Sequence, residues 1–363
     1  MSKHKIVLFG PSLAALSGVS THVRMLFSSD LVRDYDLLHF QVGSEGRREN
    51  TVQKLMRFTL SPLHLALFLL RTGARVVHMN ASLEPKSYWR DLAYSIVARL
   101  LGRRVVNQIH GGAMPQNLFH GNTFLTWLLR RFLISSDVVA VLSNAELIAY
   151  RAFDSRIKAH LVPNAIDPAG LADQLRSYNT DRPLKLVYVG RLVRPKGLFE
   201  VIEALKELKR AGREFKLSIA GEGPDRDELM AASEAAGLED RVRFLGSVFT
   251  AEKSRLWLDS DLFVFPTFHL EGLPYSLLEA MAAGCVPITT PVAAIPDVMQ
   301  NEEHGLFVPV KDAGALAIAV AALDDDRERM IRMAKAARRR VLERYTVARL
   351  ADDFRKLYDR CLA

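Results

Sequence analysis

The sequence predicts an α/β chain of two domains, each a parallel sheet with crossover helices. Three observations predict it. The chain has 363 residues, 49% of them hydrophobic, enough to bury two cores. Short β-branched runs alternate with helical stretches along nearly the whole length. Between two such series, residues 168–182 are polar and irregular, in the manner of a linker.

The first domain, residues 1–167, opens on KIVLFG. Its apolar run is too short for a secretory leader and no small-residue cleavage site follows, so it reads as a buried strand. A loop with Gly18 leads into a helix at about Thr21. DLLHFQV, RVVHMN, RVVNQIH and VVAVLS are further strands, and HLVPNAID closes the domain. Ligands of such sheets bind at the strands' carboxyl ends, and His110 falls there after RVVNQI. Phe58 to Leu70, FTLSPLHLALFLL, holds Pro62 and His64 and is shorter than the roughly 20 residues a bilayer span needs. It is expected to be a core helix. The alternative is an amphipathic surface helix, since Arg57 and Arg71 flank it and Arg47, Arg48 and Lys54 precede it.

The second domain, residues 183–345, runs through LKLVYVG, KLSIAGEG, RVRFLG, DLFVFPT and CVPITT with helices between. Helical pieces follow: GALAIAVAALDD, a basic run from Arg327 to Arg340, then YTVARLADDFRKLYDRCLA. The triplet Arg338 to Arg340 is expected on an exposed helix face, and Asp324 to Asp326 at a solvated helix end. The architecture expected is two Rossmann-like domains in tandem with a ligand cleft between them.

The formal charge of +8 is uneven. Up to Pro168 there are 20 Lys and Arg against 11 Asp and Glu; the remainder holds 29 against 30. Such asymmetry concerns partners, not fold. Anionic lipid heads and lipid-linked diphosphates suit it. Nucleic acid does not, because no binding module and no aromatic interleaving accompany the basic stretches. Two cysteines, Cys285 and Cys361, with no leader beside them fit a reducing cytoplasmic home. Cys285 reads as core.

Three turns carry the chemistry. Gly190-Arg191-Leu192 through Lys196-Gly197 follows a strand and opens a helix, so Arg191 and Lys196 flank one spot near a helix N-terminus, a natural anion site. Gly221-Glu222-Gly223 follows the next strand, a turn pressed against a ligand or against another backbone. In VFPTFHLEGLPYSLLEAMAAGCVPITT, Glu271 and Glu279 stand eight positions apart across a strand-to-helix turn, a site suited to a polyhydroxylated ligand.

In this order, GRLVRPKG, AGEGP, RFLGSV and FPTFHLEGLPYSLLEAMAAGCVPITT resemble the C-terminal domain of the retaining glycosyltransferases of the GT-B fold, family 4, or glycosyl transferases group 1. SGVSTHV, IHGG and VPNAID extend the resemblance through the first half. It implies that the last helix, about 346–363, joins the N-terminal acceptor domain. It implies a nucleotide-sugar donor, UDP- or GDP-linked, and no other cofactor. Arg191 and Lys196 would hold the diphosphate, where negative charge grows on the leaving oxygen. Glu279 would bind the ribose and Glu271 the sugar hydroxyls, Val248 would meet the base, Gly18 the phosphates and His110 the sugar. Glu222 belongs with the donor site.

The chain departs from the family pattern at three positions. Ser17 stands where the N-terminal loop has a first glycine, Ala165 where a PNG turn has its glycine, and Pro274 follows Leu273 where a Phe-Gly pair is common. Pro274 has no N–H, so the amides of Leu273, Tyr275 or Ser276 would meet the phosphate. Asp259-Ser260-Asp261 spells the DxD of metal-dependent glycosyltransferases, but it lies at the wrong end of its strand and is expected to be structural; no metal is expected. His22 and His269 receive no role. The reading is a retaining transferase acting on a lipid-linked or saccharide acceptor in surface polysaccharide or glycolipid synthesis, cytoplasmic and attached to an anionic membrane face through the basic first domain. The alternatives are a nucleotide-sugar epimerase of the same fold and a binding-only homologue.

Overall fold

A computed structural model describes residues 3–15, 17–47, 49–171, 178, 181–269 and 272–363. It divides into two compact units: 1–165 with 347–363, and 166–346.

Unit 1 contains a six-stranded parallel sheet, ordered β2-β1-β3-β4-β5-β6. Its strands are β1 (His4–Gly10), β2 (Tyr35–Gln41), β3 (Val76–Leu83), β4 (Arg104–Gly112), β5 (Val138–Val141) and β6 (Ala159–Leu161). The β-branched runs of the sequence are these strands, buried because helices cover both faces. The helices are α1 (Gly18–Ser28), α2 (Leu31–Asp34), α3 (Thr51–Thr72), α4 (Pro85–Leu100), α5 (Thr123–Ser135) and α6 (Asn144–Phe153). Sides of α3 to α6 share one core with one face of the sheet, through Leu65, Tyr94, Phe132 and Tyr150.

The sheet of unit 2 is also parallel, ordered β12-β11-β10-β7-β8-β9. Its strands are β7 (Leu184–Val189), β8 (Phe215–Ala220), β9 (Val242–Gly246), β10 (Leu262–Phe265), β11 (Val286–Thr289) and β12 (Leu306–Phe307). Its helices are α7 (Leu198–Arg210), α8 (Arg226–Ala235), α9 (Thr250–Leu258), α10 (Tyr275–Ala282), α11 (Ile295–Val298), α12 (Ala313–Asp325) and α13 (Arg327–Arg344). The last helix, α14 (Val347–Leu362), returns to unit 1 and packs Leu350, Phe354 and Tyr358 against Val23 and Val106 on the face opposite α3.

Several expectations change on inspection. The first helix starts at Gly18, not Thr21. Phe58 to Leu70 is no core helix: it lies within α3, which buries only Ser61, Leu65 and Leu69. Arg338 and Arg340 are not simply exposed. Arg338 donates to the Ala282 carbonyl at 2.7 Å, and Arg340 to the carbonyls of Val298 and Asp297, so both cap helix ends. Asp324 and Asp325 bind Arg213, and Asp326 caps α13. Asp261 receives a bidentate pair of hydrogen bonds from Arg182, both 2.8 Å, and one from the Lys185 amide, while Asp259 pairs with Lys185 Nζ. That engagement is structural, at the amino end of β10. Of the linker 168–182, residues 172–177, 179 and 180 lie outside the described residues. Among the described residues no helix is long and apolar enough to cross a membrane.

Candidate functional site

In unit 2 the strand order reverses between β7 and β10, because β8 and β9 extend one way and β11 and β12 the other. Ligands of open parallel sheets bind outside the carboxyl ends at such a switch. The loops that leave β7 and β10 there are the two richest motifs of the sequence.

The loop after β7 is fixed from two sides. Its Gly190 and Leu192 amides donate to Ala220 and Glu222 carbonyls, both at 3.0 Å. Residues Arg194–Lys196 form a single 3₁₀ turn that ends at Gly197. Gly197 has φ +81°, and a Cβ there would overlap the Pro266 carbonyl at the end of β10. Phe268 and His269 amides donate to the Pro195 carbonyl at 2.9 and 3.1 Å, and Thr267 Oγ1 donates to it at 3.2 Å. The turn is therefore stapled to the adjacent strand end.

That staple holds Arg191 in solvent and Lys196 half-buried, its Nζ 5.3 Å from the Phe265 ring centre. Burial first, and the neighbouring Arg191 charge second, pull Lys196 down to about 8. The nearby Arg191 charge disfavours the proton on Lys196, and an anion beside Lys196 would favour it.

The open question at Gly221 resolves in favour of backbone. Gly221 has φ +144°, and a Cβ would fall on the Gly190 carbonyl; Gly223 likewise presses on Leu192. These glycines lock the second turn under the first. Glu222, between them, is exposed, its carboxylate 3.7 Å from Arg226.

Val248 is buried in the connection from β9 to α9. Leu273 is buried ahead of α10, whose N-cap is Pro274 in an extended conformation. Pro274 itself makes no side-chain cap bond, and Tyr275 and Ser276 occupy the first turn, half-buried. Glu279 lies one turn further along. Lys253 Nζ approaches its two carboxylate oxygens at 2.7 and 2.6 Å, and Trp257 Nε1 donates to it at 3.3 Å. A carboxylate offers about four acceptor positions, so capacity remains for hydroxyls. Sequence reading missed Lys253 and Trp257. Their i, i+4 spacing on α9 was the available signal. Glu271, with Leu270, lies outside the described residues.

In unit 1 the order reverses between β1 and β3. Gly18 opens α1 beyond the end of β1. Ser17 is the N-cap, with an ordinary φ of −139°, and its hydroxyl accepts from the Ser20 amide at 3.3 Å. Serine thus replaces glycine there without backbone cost and closes the first turn. Ala165 is likewise unstrained, with negative φ and full burial.

His110 stands near the end of β4. Asn80 Nδ2 donates to the Phe9 carbonyl at 2.6 Å, which aims its amide oxygen at His110 Nε2, 2.7 Å away. Burial holds His110 down to about 3, so the ring is neutral. Asn80 Oδ1 only accepts, so the proton is on Nε2 and Nδ1 is an acceptor. Behind it lie two further neutral histidines. The His22 ring centre is 4.8 Å away, edge to face, and His78 bonds Tyr358 Oη at 2.6 Å and Gln108 Oε1 at 3.2 Å. Burial also holds His78 near 3. Nothing in the local sequence marked Asn80, a polar residue inside an apolar strand.

Comparison with known proteins bears on the family and the fold. Residues 173–340 match the family model described as glycosyl transferases group 1. The chain is 35% identical over 165 residues to the putative colanic acid biosynthesis glycosyltransferase WcaL of Escherichia coli K12, covering 44% of this chain and 41% of that one. It spans about two fifths of the length of that relative. It is 29% identical over 277 residues to the GDP-mannose-dependent alpha-(1-6)-phosphatidylinositol monomannoside mannosyltransferase of Mycobacterium tuberculosis, covering 71% of each. Anabaena HepE, solved in complex with UDP-glucose, superposes over 98% of this chain and 99% of its own with a TM-score of 0.74 at 16% identity, a likeness of fold alone. The fold, two six-stranded parallel sheets each in its own α/β unit, is GT-B.

Proposed function

Because residues 173–340 match glycosyl transferases group 1, we propose that this chain is a member of that family and moves a sugar from a nucleotide-sugar donor to a lipid-linked or saccharide acceptor, with retention at the anomeric carbon. The observation that carries the reading is the cation pair. Arg191 and Lys196 are held together at the switch point of the unit 2 sheet, close enough for the one to depress the other. A donor diphosphate satisfies both.

The bond from the anomeric carbon to the diphosphate oxygen breaks, and its electron pair leaves on the diphosphate. Arg191 and Lys196 stabilise that charge as it grows. The acceptor hydroxyl attacks on the same face, and its proton passes to the departing diphosphate. Glu279, oriented by Lys253 and Trp257, takes the ribose hydroxyls, and Val248 lies under the base. Glu222 borders the donor, and Gly18 and the first-turn amides at Tyr275 and Ser276 serve the phosphates. His110 accepts a sugar hydroxyl at Nδ1, and Glu271 takes others. No metal is called for, since two cations already neutralise the leaving group.

The names of the relatives support surface polysaccharide or glycolipid synthesis, and the basic first unit supports an anionic, lipid-linked acceptor on the cytoplasmic face of a membrane. A panel of UDP- and GDP-sugars, scored by thermal shift and by donor hydrolysis without acceptor, tests the reading. One donor should raise the melting temperature and be slowly hydrolysed to free sugar. Release of a changed sugar would mean an epimerase; binding without turnover under any acceptor would mean a binding-only homologue.

A further inference from the structure

Unit 1 has an outer surface that sugar transfer does not use. On α3, Val52, Leu55, Met56, Leu63, Leu67 and Leu70 are 42–66% exposed. At 100° per residue they fall on an arc of about 120°; Leu60, 41% exposed, borders it, and Phe58, 51% exposed, lies outside it. The buried Ser61, Leu65 and Leu69 occupy the opposite side. α4 and α5 repeat the pattern. Trp89, Ile96 and Leu100 lie opposite the buried side of α4, and Phe124 and Trp127 opposite that of α5. The buried sides of all three helices meet one core on one face of the sheet, so their outward sides all face away from that same face. Phe124 and Trp127 stack there with ring centres 5.9 Å apart. A soluble surface rarely gathers so many large apolar side chains without a partner.

Charge identifies the partner. α3 carries Lys54, Arg57 and Arg71 and no carboxylate of its own, although Arg57 is paired with Glu49 at 2.9 Å just before the helix. Unit 1 as a whole holds 24 Lys and Arg against 13 Asp and Glu. An apolar helix side bordered by Arg71, on a unit with a basic excess and with tryptophans on the neighbouring helices, matches the boundary between acyl chains and anionic headgroups. We propose that the outer surface of α3, α4 and α5 inserts into an anionic bilayer, with α3 lying in the interface plane and Trp89 and Trp127 at headgroup depth. The choice of a membrane rests on the lipid-linked acceptor proposed above; the choice of surface does not. Attachment through this surface differs from attachment by charge alone, because a buried apolar side survives salt that screens the lysines and arginines.

Full-length protein and vesicles test it. Wild type should sediment with phosphatidylglycerol-containing vesicles, and a substantial fraction should remain bound at about 0.5 M salt, where the screening length is only a few Å. The triple variant Leu55→Gln, Leu63→Gln, Leu67→Gln should lose at least tenfold in partitioning. Independently of that variant's folding, wild-type fluorescence decides the matter. The chain has three tryptophans, and Trp257 is buried in unit 2. Acyl-brominated lipid should quench wild type and lose that effect in Trp89→Phe, Trp127→Phe. Unchanged partitioning of the triple variant, or no quenching, overturns the inference. So does light scattering that reports a dimer broken by the triple variant with no vesicle binding. Turnover of a lipid-linked acceptor without vesicle binding sinks this inference alone; vesicle binding without turnover of any nucleotide sugar sinks the proposed function alone.

Discussion

The two units solve one folding problem and carry opposite chemistry. Each is a six-stranded parallel sheet with a single reversal of strand order, and each keeps its candidate residues at the carboxyl ends. Yet unit 1 has 24 basic against 13 acidic residues, and unit 2 has 25 against 28. Apart from Val32 on α2, unit 1 has its exposed large apolar side chains on α3 to α6, whereas those of unit 2, Met230, Leu245, Phe249, Val310 and Ile318, are spread over α8, β9, α12 and two loops. Unit 1 buries neutral imidazoles; unit 2 half-buries Lys196 near the Arg191 charge. Topology sets where a ligand can sit, and side-chain charge and exposure set the two units apart.

The largest effect that separates the units is in packing. Phe354 on α14 is fully buried in the unit 1 core. Phe354→Ala should cost about 3–5 kcal/mol, read by denaturant unfolding, while nucleotide-sugar binding attributable to unit 2 survives. Equal loss of both would mean that the units do not unfold separately.

Next comes the cation pair. Arg191→Ala or Lys196→Ala should lower kcat by about 10²–10³-fold while donor Kd, followed by calorimetry, moves much less. Normal turnover in both variants would remove the leaving-group assignment from this loop.

Acid should then divide the units further. Burial holds His78 near 3 against an ordinary 6.5. Between those values the unfolded chain binds a proton that the folded chain refuses. Stability is therefore full above pH 6.5 and falls as pH drops toward 3, by about 2 kcal/mol for His78 between pH 7 and 5. Lys196 acts in another window. Its folded value of about 8 lies below the ordinary 10.5, so unit 2 gains stability as pH rises from 8 to 10.5. Hydrogen exchange at pH 5 and 7 should show protection lost first around β3 and β4.

The smallest effect concerns tautomers. Asn80→Ala frees His110 Nε2 and should lower kcat about tenfold with little change in KM and an acidic limb of the pH–rate profile moved to lower pH, since the lost acceptor favoured the protonated ring. An unaltered pH profile would make Asn80 merely structural.

The alternation of β-branched strands and helices was readable because buried parallel strands require it. β12, two residues long, was too short to leave a pattern. The cation pair was legible because a strand, a turn and a helix start place Arg191 and Lys196 by local rules alone. Asn80 and Lys253 were not, because their partners His110 and Glu279 lie 30 and 26 residues away. The outward side of α3 was misread as core for a physical reason: a helix apolar on nearly every side does not declare which side meets water.

The return of α14 to unit 1 has a consequence for biogenesis. A ribosome releases the six strands of unit 1 first, but the helix that covers their second face with Leu350, Phe354 and Tyr358 emerges only after all of unit 2. The unit begun first is finished last. During synthesis Ile6, Leu8 and Val106 lack part of their native cover, so nascent chains stalled before Val347 should recruit chaperones that the released protein does not need.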